Sequence, residues 1–207
     1  EDRAKSVLTF NESPDLGFDR SVNPYRGCEH GCTYCYARPS HAFMGLSAGL
    51  DFETKLFAKY DVARLLEDAL RKPGYQVAPI ALGTNTDPYQ PIERELKLTS
   101  SILAVLDDCN HPVTIVTKSA GILRDLDRLS SMARRGLVSV GLSVTTLDAA
   151  LSRLMEPRCS SPARRIDTIR HLADAGIPVR VMASPMIPGL NDCELEAILE
   201  AARKAGA

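Results

Sequence analysis

Three cysteines lie within one short stretch of the chain, at Cys28, Cys32 and Cys35, with the spacing C-x₃-C-x₂-C. Thiolates on one short loop can converge on a 4Fe–4S cluster, which in ordinary ferredoxins is held by four cysteines. Three cysteines leave one iron without a protein ligand. Such an open position can bind donor atoms of another molecule, as the open position of a catalytic zinc does. Gly27 and Gly31 allow the backbone to turn closely around such a cluster.

Two other kinds of site would also use these cysteines. A zinc ion bound by the three thiolates and by His30 or His41 is chemically reasonable. The protein would then be a zinc-stabilised nucleic-acid-binding module that uses the arginine-rich residues 151–180. Zinc sites, however, usually pair two short ligand units across a longer stretch, and no second unit follows here. A cluster that only carries electrons is the second alternative, although such a protein would not need the polar strand ends described below. The remaining cysteines are scattered singly, which is typical of small buried apolar residues; they are Cys109, Cys159 and Cys193.

The composition is that of a globular protein with a core. The chain has 207 residues, of which 44% are apolar, and this fits one domain. The net charge of −1 argues against a general affinity for nucleic acid, whereas six arginines within residues 151–180 predict a solvated helix face or a local basic patch. No apolar run reaches the ~20 residues of a membrane span, and the charged N-terminus does not resemble a signal peptide. We therefore expect a cytoplasmic protein without a membrane partner.

Strands and helices alternate along the chain. After an irregular segment at residues 1–18, a short strand within residues 19–25 leads into the cysteine loop. Apolar runs predict four further strands, at residues 77–82, 113–117, 137–144 and 179–183. Helical periodicity is present at residues 62–70, 96–106, 122–135, 163–175 and 192–204, the last capped by Asn191 or Asp192. This order predicts right-handed crossovers and a parallel α/β sheet, either open or closed into a barrel, and a further strand is expected after the last helix.

Polar residues follow each predicted strand. They occupy residues 83–87, 117–119, 143–146 and 184–186 and include hydroxyls, an amide, a carboxylate and a lysine. In parallel α/β folds the functional site forms at the carboxyl ends of the strands. Each of these residues could equally cap a helix or form a turn. Their occurrence beside a cysteine cluster nevertheless favours a shared site at this edge of the sheet.

The cysteine motif resembles that of the radical S-adenosylmethionine (SAM) superfamily. The superfamily's signature, C-x₃-C-x-Φ-C with Φ aromatic, is matched here with Tyr34 as the aromatic residue. More closely, the chain resembles the spore photoproduct lyase-like branch. Within that branch it resembles a bacterial group with three further motifs. These are Asn-Pro-Tyr-Arg-Gly-Cys, Cys-Tyr-Ala-Arg and Gly-Thr-Asn-Thr-Asp-Pro-Tyr-Gln-Pro-Ile-Glu, here at residues 23–28, 35–38 and 83–93.

This resemblance implies a fold and a reaction. The fold is a partial (β/α)₆ TIM-like barrel, expected over residues 19–207, with the last strand lying outside this sequence. The open iron of the 4Fe–4S cluster chelates SAM, and an electron from a donor such as flavodoxin or ferredoxin cleaves it to methionine and a 5′-deoxyadenosyl radical. That radical removes a hydrogen atom from a substrate, for which the lyase relatives suggest a nucleic acid or nucleotide. The cofactors carry the chemistry, and the protein orients them and excludes water.

The resemblance also assigns cofactor contacts. The matching positions are Tyr34, Thr84, Asn85, Thr86, Asp87, Lys118, Ser143 and Ser184. By analogy, Tyr34 and Ser184 lie near the adenine, residues 84–87 at the methionyl amino group, Lys118 at the methionyl carboxylate, and Ser143 at the ribose or carboxylate. Residues 84–87 depart from the family's usual Gly-Gly-Glu.

One departure concerns the reaction itself. Thr84 stands where the lyase has the cysteine that returns a hydrogen atom to the product radical. A threonine hydroxyl is a poor hydrogen-atom donor, which argues against the lyase's own reaction. Among the scattered cysteines, Cys159 lies in a loop after the fourth strand and could approach the opening.

Overall fold

The structure is a computed structural model that describes residues 6–207, so the expectation for residues 1–5 lies outside the described part. A six-stranded sheet with the order β1-β2-β5-β6-β7-β8 forms its centre. Its strands are β1 (Leu8–Phe10), β2 (Arg20–Val22), β5 (Ile80–Leu82), β6 (Val113–Thr117), β7 (Val138–Ser143) and β8 (Val179–Met182). The other two strands, β3 (Tyr25–Arg26) and β4 (Phe57–Ala58), form a separate antiparallel pair.

The helices lie between the strands along the chain. They are α1 (Asp51–Thr54), α2 (Val62–Leu70), α3 (Glu93–Leu96), α4 (Leu98–Asp108), α5 (Leu126–Arg134), α6 (Ala149–Met155), α7 (Pro162–Asp174) and α8 (Leu195–Lys204). Three 3₁₀ segments are found at Arg38–Met44, Ala120–Asp125 and Asp192–Glu194. None of the helices within residues 6–207 is long and apolar enough to cross a membrane.

Five strands of the sheet are parallel, and only β1 runs antiparallel to its neighbour. Strands β5 and β7 are buried on both faces: Ile80, Ala81 and Leu82 are buried in β5, and Val140, Gly141 and Leu142 in β7. Residues of α2, α4 and α5 complete this core. Strands covered on both faces read as continuous apolar runs, which is why the sequence predicts them so directly. The predicted α/β fold with a mostly parallel central sheet is confirmed.

Two predicted strand boundaries are wrong, and the α-helix expected at residues 122–135 begins only at Leu126, after a 3₁₀ segment. The segment expected to be irregular contains β1, which pairs Leu8 with Val22 and Phe10 with Arg20. A three-residue strand with mostly exposed side chains has no apolar alternation that could reveal it. The strand expected at residues 77–82 begins only at Ile80, because Pro79 precedes it and has no N–H for the ladder.

The predicted cap of the last helix is also wrong. The buried side chain of Asn191 joins two loops instead: its amide donates to the carbonyls of Thr145 at 2.7 Å and Pro185 at 2.9 Å. The Asp192 carboxylate accepts from the Gly189 N–H at 2.9 Å. The helix α8 itself begins after Glu194, which makes no side-chain cap. Asparagine is a common helix cap, so the sequence predicts a local role for Asn191, whereas in the structure its side chain connects distant loops.

The isolated cysteines differ from expectation as well. Cys109 and Cys193 are exposed, so the prediction that they are buried apolar residues is wrong. Cys109 follows the last residue of α4 and Cys193 lies in a 3₁₀ turn, and both positions face solvent. Cys159 is half-buried and lies beside the cysteine loop.

Candidate functional site

The three motif cysteines lie at the carboxyl edge of the sheet, on the loop that follows β2 and β3. One cavity is lined by this loop and by the ends of β5 and β6. Its lining residues are Cys28, His30, Cys32, Cys35, Tyr36, Gly83, Thr84, Asn85, Thr86, Asp87, Val116, Thr117 and Lys118. The structure therefore brings the cysteines together with two of the four polar strand ends that the sequence singles out.

The turn after β5 lies directly against β6. Gly83 adopts a left-handed backbone with φ of 87°. A Cβ atom at this position would collide with the carbonyl of Val116. Glycine is therefore required for residues 84–87 to reach the cavity.

The Asp87 carboxylate joins three parts of the site. It accepts hydrogen bonds from the Thr117 hydroxyl at 2.7 Å and the Lys118 N–H at 2.8 Å. It also accepts from the Tyr89 N–H at 2.8 Å, and the His30 imidazole lies 3.3 Å away. Burial opposes the ionisation of Asp87, but the adjacent His30 imidazole and these donors outweigh it and lower the pKa of Asp87 to about 2. Asp87 thus fixes the 84–87 turn against β6 and the cysteine loop.

Asn23 anchors the same turn from the other side. Its side chain donates to the Thr84 hydroxyl at 3.1 Å and accepts from the Asn85 N–H at 3.1 Å. The Thr86 hydroxyl donates to the Tyr25 carbonyl at 3.2 Å, and the hydroxyl of Tyr36 donates to the Thr84 carbonyl. These contacts account structurally for the Asn-Pro-Tyr and Cys-Tyr-Ala-Arg motifs. The side chain of Asn85 is exposed, and its amide oxygen and nitrogen have no partner among the described residues.

Lys118 is the cation of this cavity. Its ammonium group lies 5.8 Å from the centre of the Tyr34 ring, within the range of a cation–π contact. Within the described part of the chain it forms no ion pair with a carboxylate. Burial opposes its charge, but the negative charges of Cys32, Glu156 and Asp87 outweigh burial and raise the pKa of Lys118. The site therefore offers a charged ammonium group to an anionic ligand.

Ser143 and Ser184 do not line this cavity. Ser143 is buried at the end of β7, where its carbonyl accepts from the Arg165 guanidinium at 3.1 Å. Ser184 is exposed just beyond β8. They lie one and two strands beyond β6 along the same edge of the sheet, and their roles toward a cofactor stay predictions.

Residues 155–160, called the bracket segment below, hold the cysteine loop from outside the cavity. The N–H of Thr33 donates to the Met155 carbonyl at 2.9 Å, and the N–H of Arg158 donates to the His30 carbonyl at 3.3 Å. The Arg158 guanidinium also donates to the Glu29 carbonyl. Backbone contacts at both ends thus fix the position of the loop between Cys28 and Cys35.

A buried ion pair lies in the bracket segment. Glu156 accepts a hydrogen bond from the Tyr34 hydroxyl with one oxygen and pairs with Arg165 through the other. Arg165 also donates to the carbonyls of Ser143 and Ser160 at 3.1 and 2.7 Å. These residues were missed by the sequence reading, because a charged residue that is buried and paired has the same sequence signature as an exposed one.

Two arginines and a glutamate cover the outer face of the cysteine loop. Arg38 donates to the Cys32 carbonyl at 2.9 Å and pairs with Glu53 at 2.6 Å, and Arg158 pairs with the other oxygen of Glu53. Gly31 has a φ of 69°, and a Cβ atom there would collide with the Arg158 guanidinium. Four of the six arginines in the segment 151–180 thus have partners: Arg158, Arg164, Arg165 and Arg170.

The donor set suits a cluster better than a single ion. Among residues 6–207, no three His, Cys, Asp or Glu side chains lie close enough together to hold one metal ion. A 4Fe–4S cluster places each thiolate on a different iron, so its cysteines need not meet at one point. His41, one candidate zinc ligand, is buried with its Nε2 3.1 Å from the Lys55 carbonyl. The other candidate, His30, faces Asp87.

Known proteins resemble the chain in both sequence and fold. An uncharacterized protein of Mycobacterium tuberculosis is 38% identical over 208 residues, 98% of this chain and 61% of its own length. Another, of Methanocaldococcus jannaschii, is 31% identical over 192 residues, 93% of this chain and 70% of its own length. The chain thus spans about three fifths of the length of the mycobacterial relative.

The solved structures show the same fold at low identity. A mutant of spore photoproduct lyase has a TM-score of 0.67 at 17% identity, covering 96% of this chain and 55% of the lyase. A second mutant lyase, with bound AdoMet and dinucleoside spore photoproduct, has a TM-score of 0.65 at 17% identity, covering 95% and 54%. The model of the Radical SAM superfamily matches residues 22–202, which include the cysteine loop and every strand from β5 onward. The chain therefore belongs to the radical SAM superfamily.

Proposed function

We propose that this protein is a radical SAM enzyme in which Cys28, Cys32 and Cys35 hold a 4Fe–4S cluster. When bound, the cluster and SAM supply reductive cleavage to methionine and a 5′-deoxyadenosyl radical, which removes a hydrogen atom from the substrate. The observation that carries the proposal is the shared cavity, in which three thiols face Lys118 and the 84–87 turn. The three thiols are the protein's ligands, and the fourth iron is left for SAM.

The polar residues of the cavity would bind the methionyl end of SAM. Lys118 is charged and forms no direct ion pair with a carboxylate of the described chain, so it would pair with the methionyl carboxylate. The free amide of Asn85 would accept from the methionyl amino group. Asp87 and Thr86 are already engaged by the chain's own groups, so they would orient the turn rather than contact SAM.

The adenosyl end would lie toward Tyr34 and the more distant strand ends. The Tyr34 hydroxyl donates to Glu156, and the Lys118 ammonium group lies 5.8 Å from the centre of the Tyr34 ring. With its side chain fixed in this way, Tyr34 would offer its backbone to the adenine. Ser143 and Ser184 would be reached only by a ligand that extends from the cavity across the ends of β7 and β8.

The substrate is proposed to be a nucleic acid or nucleotide, because structurally similar lyases were solved with a dinucleoside spore photoproduct. The reaction itself should differ from that of the lyase. Thr84 is a poor hydrogen-atom donor, and its hydroxyl and carbonyl are both held by neighbours. Cys159 is not among the cavity-lining residues of the described chain and its thiol contacts Cys32, so we do not assign it the role of the missing thiol. A small flavin or iron–sulfur protein such as flavodoxin or ferredoxin is the proposed electron donor.

The test is anaerobic. The protein is reconstituted with iron and sulfide, then given dithionite and SAM, and 5′-deoxyadenosine and methionine are measured by mass spectrometry. Both products are expected from the wild type and from the control variant Cys109→Ala, whose cysteine is exposed and remote from the loop. Neither is expected from Cys28→Ala, Cys32→Ala or Cys35→Ala. A wild-type protein with a full cluster and no 5′-deoxyadenosine would contradict the proposal.

A further inference from the structure

A fourth thiol lies beside the cysteine loop. The Sγ of Cys159 is 3.8 Å from the Sγ of Cys32, within hydrogen-bonding distance for sulfur. The two residues are 127 positions apart in the chain, so this is a tertiary contact. Cys159 is not among the cavity-lining residues of the described chain, whereas Cys32 is, so Cys159 contacts a thiol that lines the cavity.

The position of Cys159 is fixed by the bracket segment. Its N–H donates to the Glu156 carbonyl at 3.1 Å, and the next residue, Ser160, accepts with its hydroxyl from the Ala120 N–H at 2.9 Å. On the other side of the contact, the Cys32 carbonyl accepts from Arg38. The positions of Cys32 and Cys159 are thus fixed by contacts other than the one between their sulfur atoms.

We infer that Cys159 donates an S–H···S hydrogen bond to the cluster-bound thiolate of Cys32 and thereby raises the reduction potential of the cluster. This inference rests on the proposed function. As a ligand to iron, Cys32 is a thiolate without a proton, so it can only accept. Cys159 is then the donor, although either sulfur could donate in the free protein.

The direction of the effect follows from charge. Reduction adds one negative charge to the cluster and its thiolates. A donor to one thiolate stabilises the reduced state more than the oxidised state, and hydrogen bonds to sulfur are one of the means by which proteins set cluster potentials. Because Cys32 is buried and Cys159 half-buried, the bond lies in a medium of low dielectric constant, which strengthens its effect. Cys159 thus acts on the cluster through Cys32, as a positioning residue.

The test is an anaerobic redox titration monitored by electron paramagnetic resonance. The reconstituted wild type is compared with Cys159→Ala, which removes the donor, and Cys159→Ser, which keeps an O–H donor. Cys109→Ala is the control, since that thiol is exposed and far from the loop. We expect Cys159→Ala to have a more negative midpoint potential at unchanged iron content, Cys159→Ser to recover most of this shift, and Cys109→Ala to match the wild type.

Two results would overturn the inference. One is an unchanged midpoint in Cys159→Ala. The other is an equal shift in the alanine and serine variants, because that would report lost packing rather than a lost donor. If the wild type binds no cluster, the proposed function fails together with the inference. If the wild type forms a cluster and 5′-deoxyadenosine but the midpoint potential does not depend on Cys159, only the inference fails.

Discussion

Glu156 and Arg165 form an ion pair in which both side chains are almost completely buried, at 0% and 1% exposure. The pair lies at the meeting point of the bracket segment, α7 and the Tyr34 hydroxyl. Burying two charges costs desolvation energy, which is offset only while each charge keeps its partner. A single substitution in this pair should therefore lower the stability of the protein and also disturb the cysteine loop.

Arg165→Met should destabilise the protein strongly, because it leaves the Glu156 carboxylate buried without its partner. The expected loss is about 3–5 kcal/mol, which for a chain of this size lowers Tm by on the order of 10 °C. The matched control is Arg164→Met on the same helix, since Arg164 is exposed and pairs only with Asp167. Its loss should stay below about 1 kcal/mol. Equal losses in anaerobic thermal unfolding would contradict this reading of the pair.

The same pair predicts an acid-sensitive stability. Burial opposes the ionisation of Glu156, but Arg165, the Tyr34 hydroxyl and Lys118 outweigh it and lower the pKa of Glu156. A lowered pKa contributes stability above the unfolded value of about 4.3. That contribution is lost as the pH falls through the lower folded value. As the pH falls from about 5 to about 3, Tm should therefore fall further in the wild type than in Glu156→Gln. Parallel falls in the two proteins would show that Glu156 does not titrate in this way.

Lys118→Ala should separate cofactor binding from cluster binding. The cysteines are untouched, so iron and sulfide content should match the wild type. Loss of a charge-assisted hydrogen bond should weaken SAM binding by about 10- to 100-fold in anaerobic isothermal titration calorimetry. Lys204→Ala is the control, because Lys204 is exposed and pairs with Glu200 on α8. Wild-type affinity in Lys118→Ala would remove Lys118 from the proposed site.

Two glycines allow backbone strain to be separated from steric collision. Gly83 and Gly136 both have a positive φ, at 87° and 69°. A Cβ on Gly83 would collide with the Val116 carbonyl, whereas a Cβ on Gly136 would meet nothing within 4 Å. Gly136→Ala should cost about 1 kcal/mol, and Gly83→Ala should cost clearly more and also weaken SAM binding. The comparison is made by thermal unfolding and calorimetry. Equal costs would mean that the turn after β5 can move away from β6.

The parts of the fold that the sequence predicts well are those with a local signal. The sequence predicts β6 at its observed bounds because residues 113–117 form an uninterrupted β-branched run. Helix α2 was predicted for a similar reason, since Val62 and Leu66 repeat at helical spacing. Helix α6 was missed: it has seven residues, and its clearest signal is the cap formed by Asp148.

The candidate site shows the same difference between local features, which the sequence predicts, and long-range contacts, which it does not. The spacing of Cys28, Cys32 and Cys35 is local, and so the sequence reveals it. The contacts that hold these residues are not local: Tyr34 meets Glu156 across 122 positions, and Cys32 meets Cys159 across 127. No periodicity links such residues. Only the tertiary structure shows that Arg165 is buried or that Asp87 is engaged by the chain's own donors.

The long separation between the cysteine loop and the bracket segment also constrains how the protein matures. Contacts such as Arg158 with Glu29 close a loop of 129 positions. Closing such a loop is entropically costly until the intervening strands and helices are in place. During synthesis the cysteines therefore leave the ribosome long before the residues that hold them. The loop would be complete only after the chain beyond residue 160 has folded, so insertion of the proposed cluster would be a late step of biogenesis.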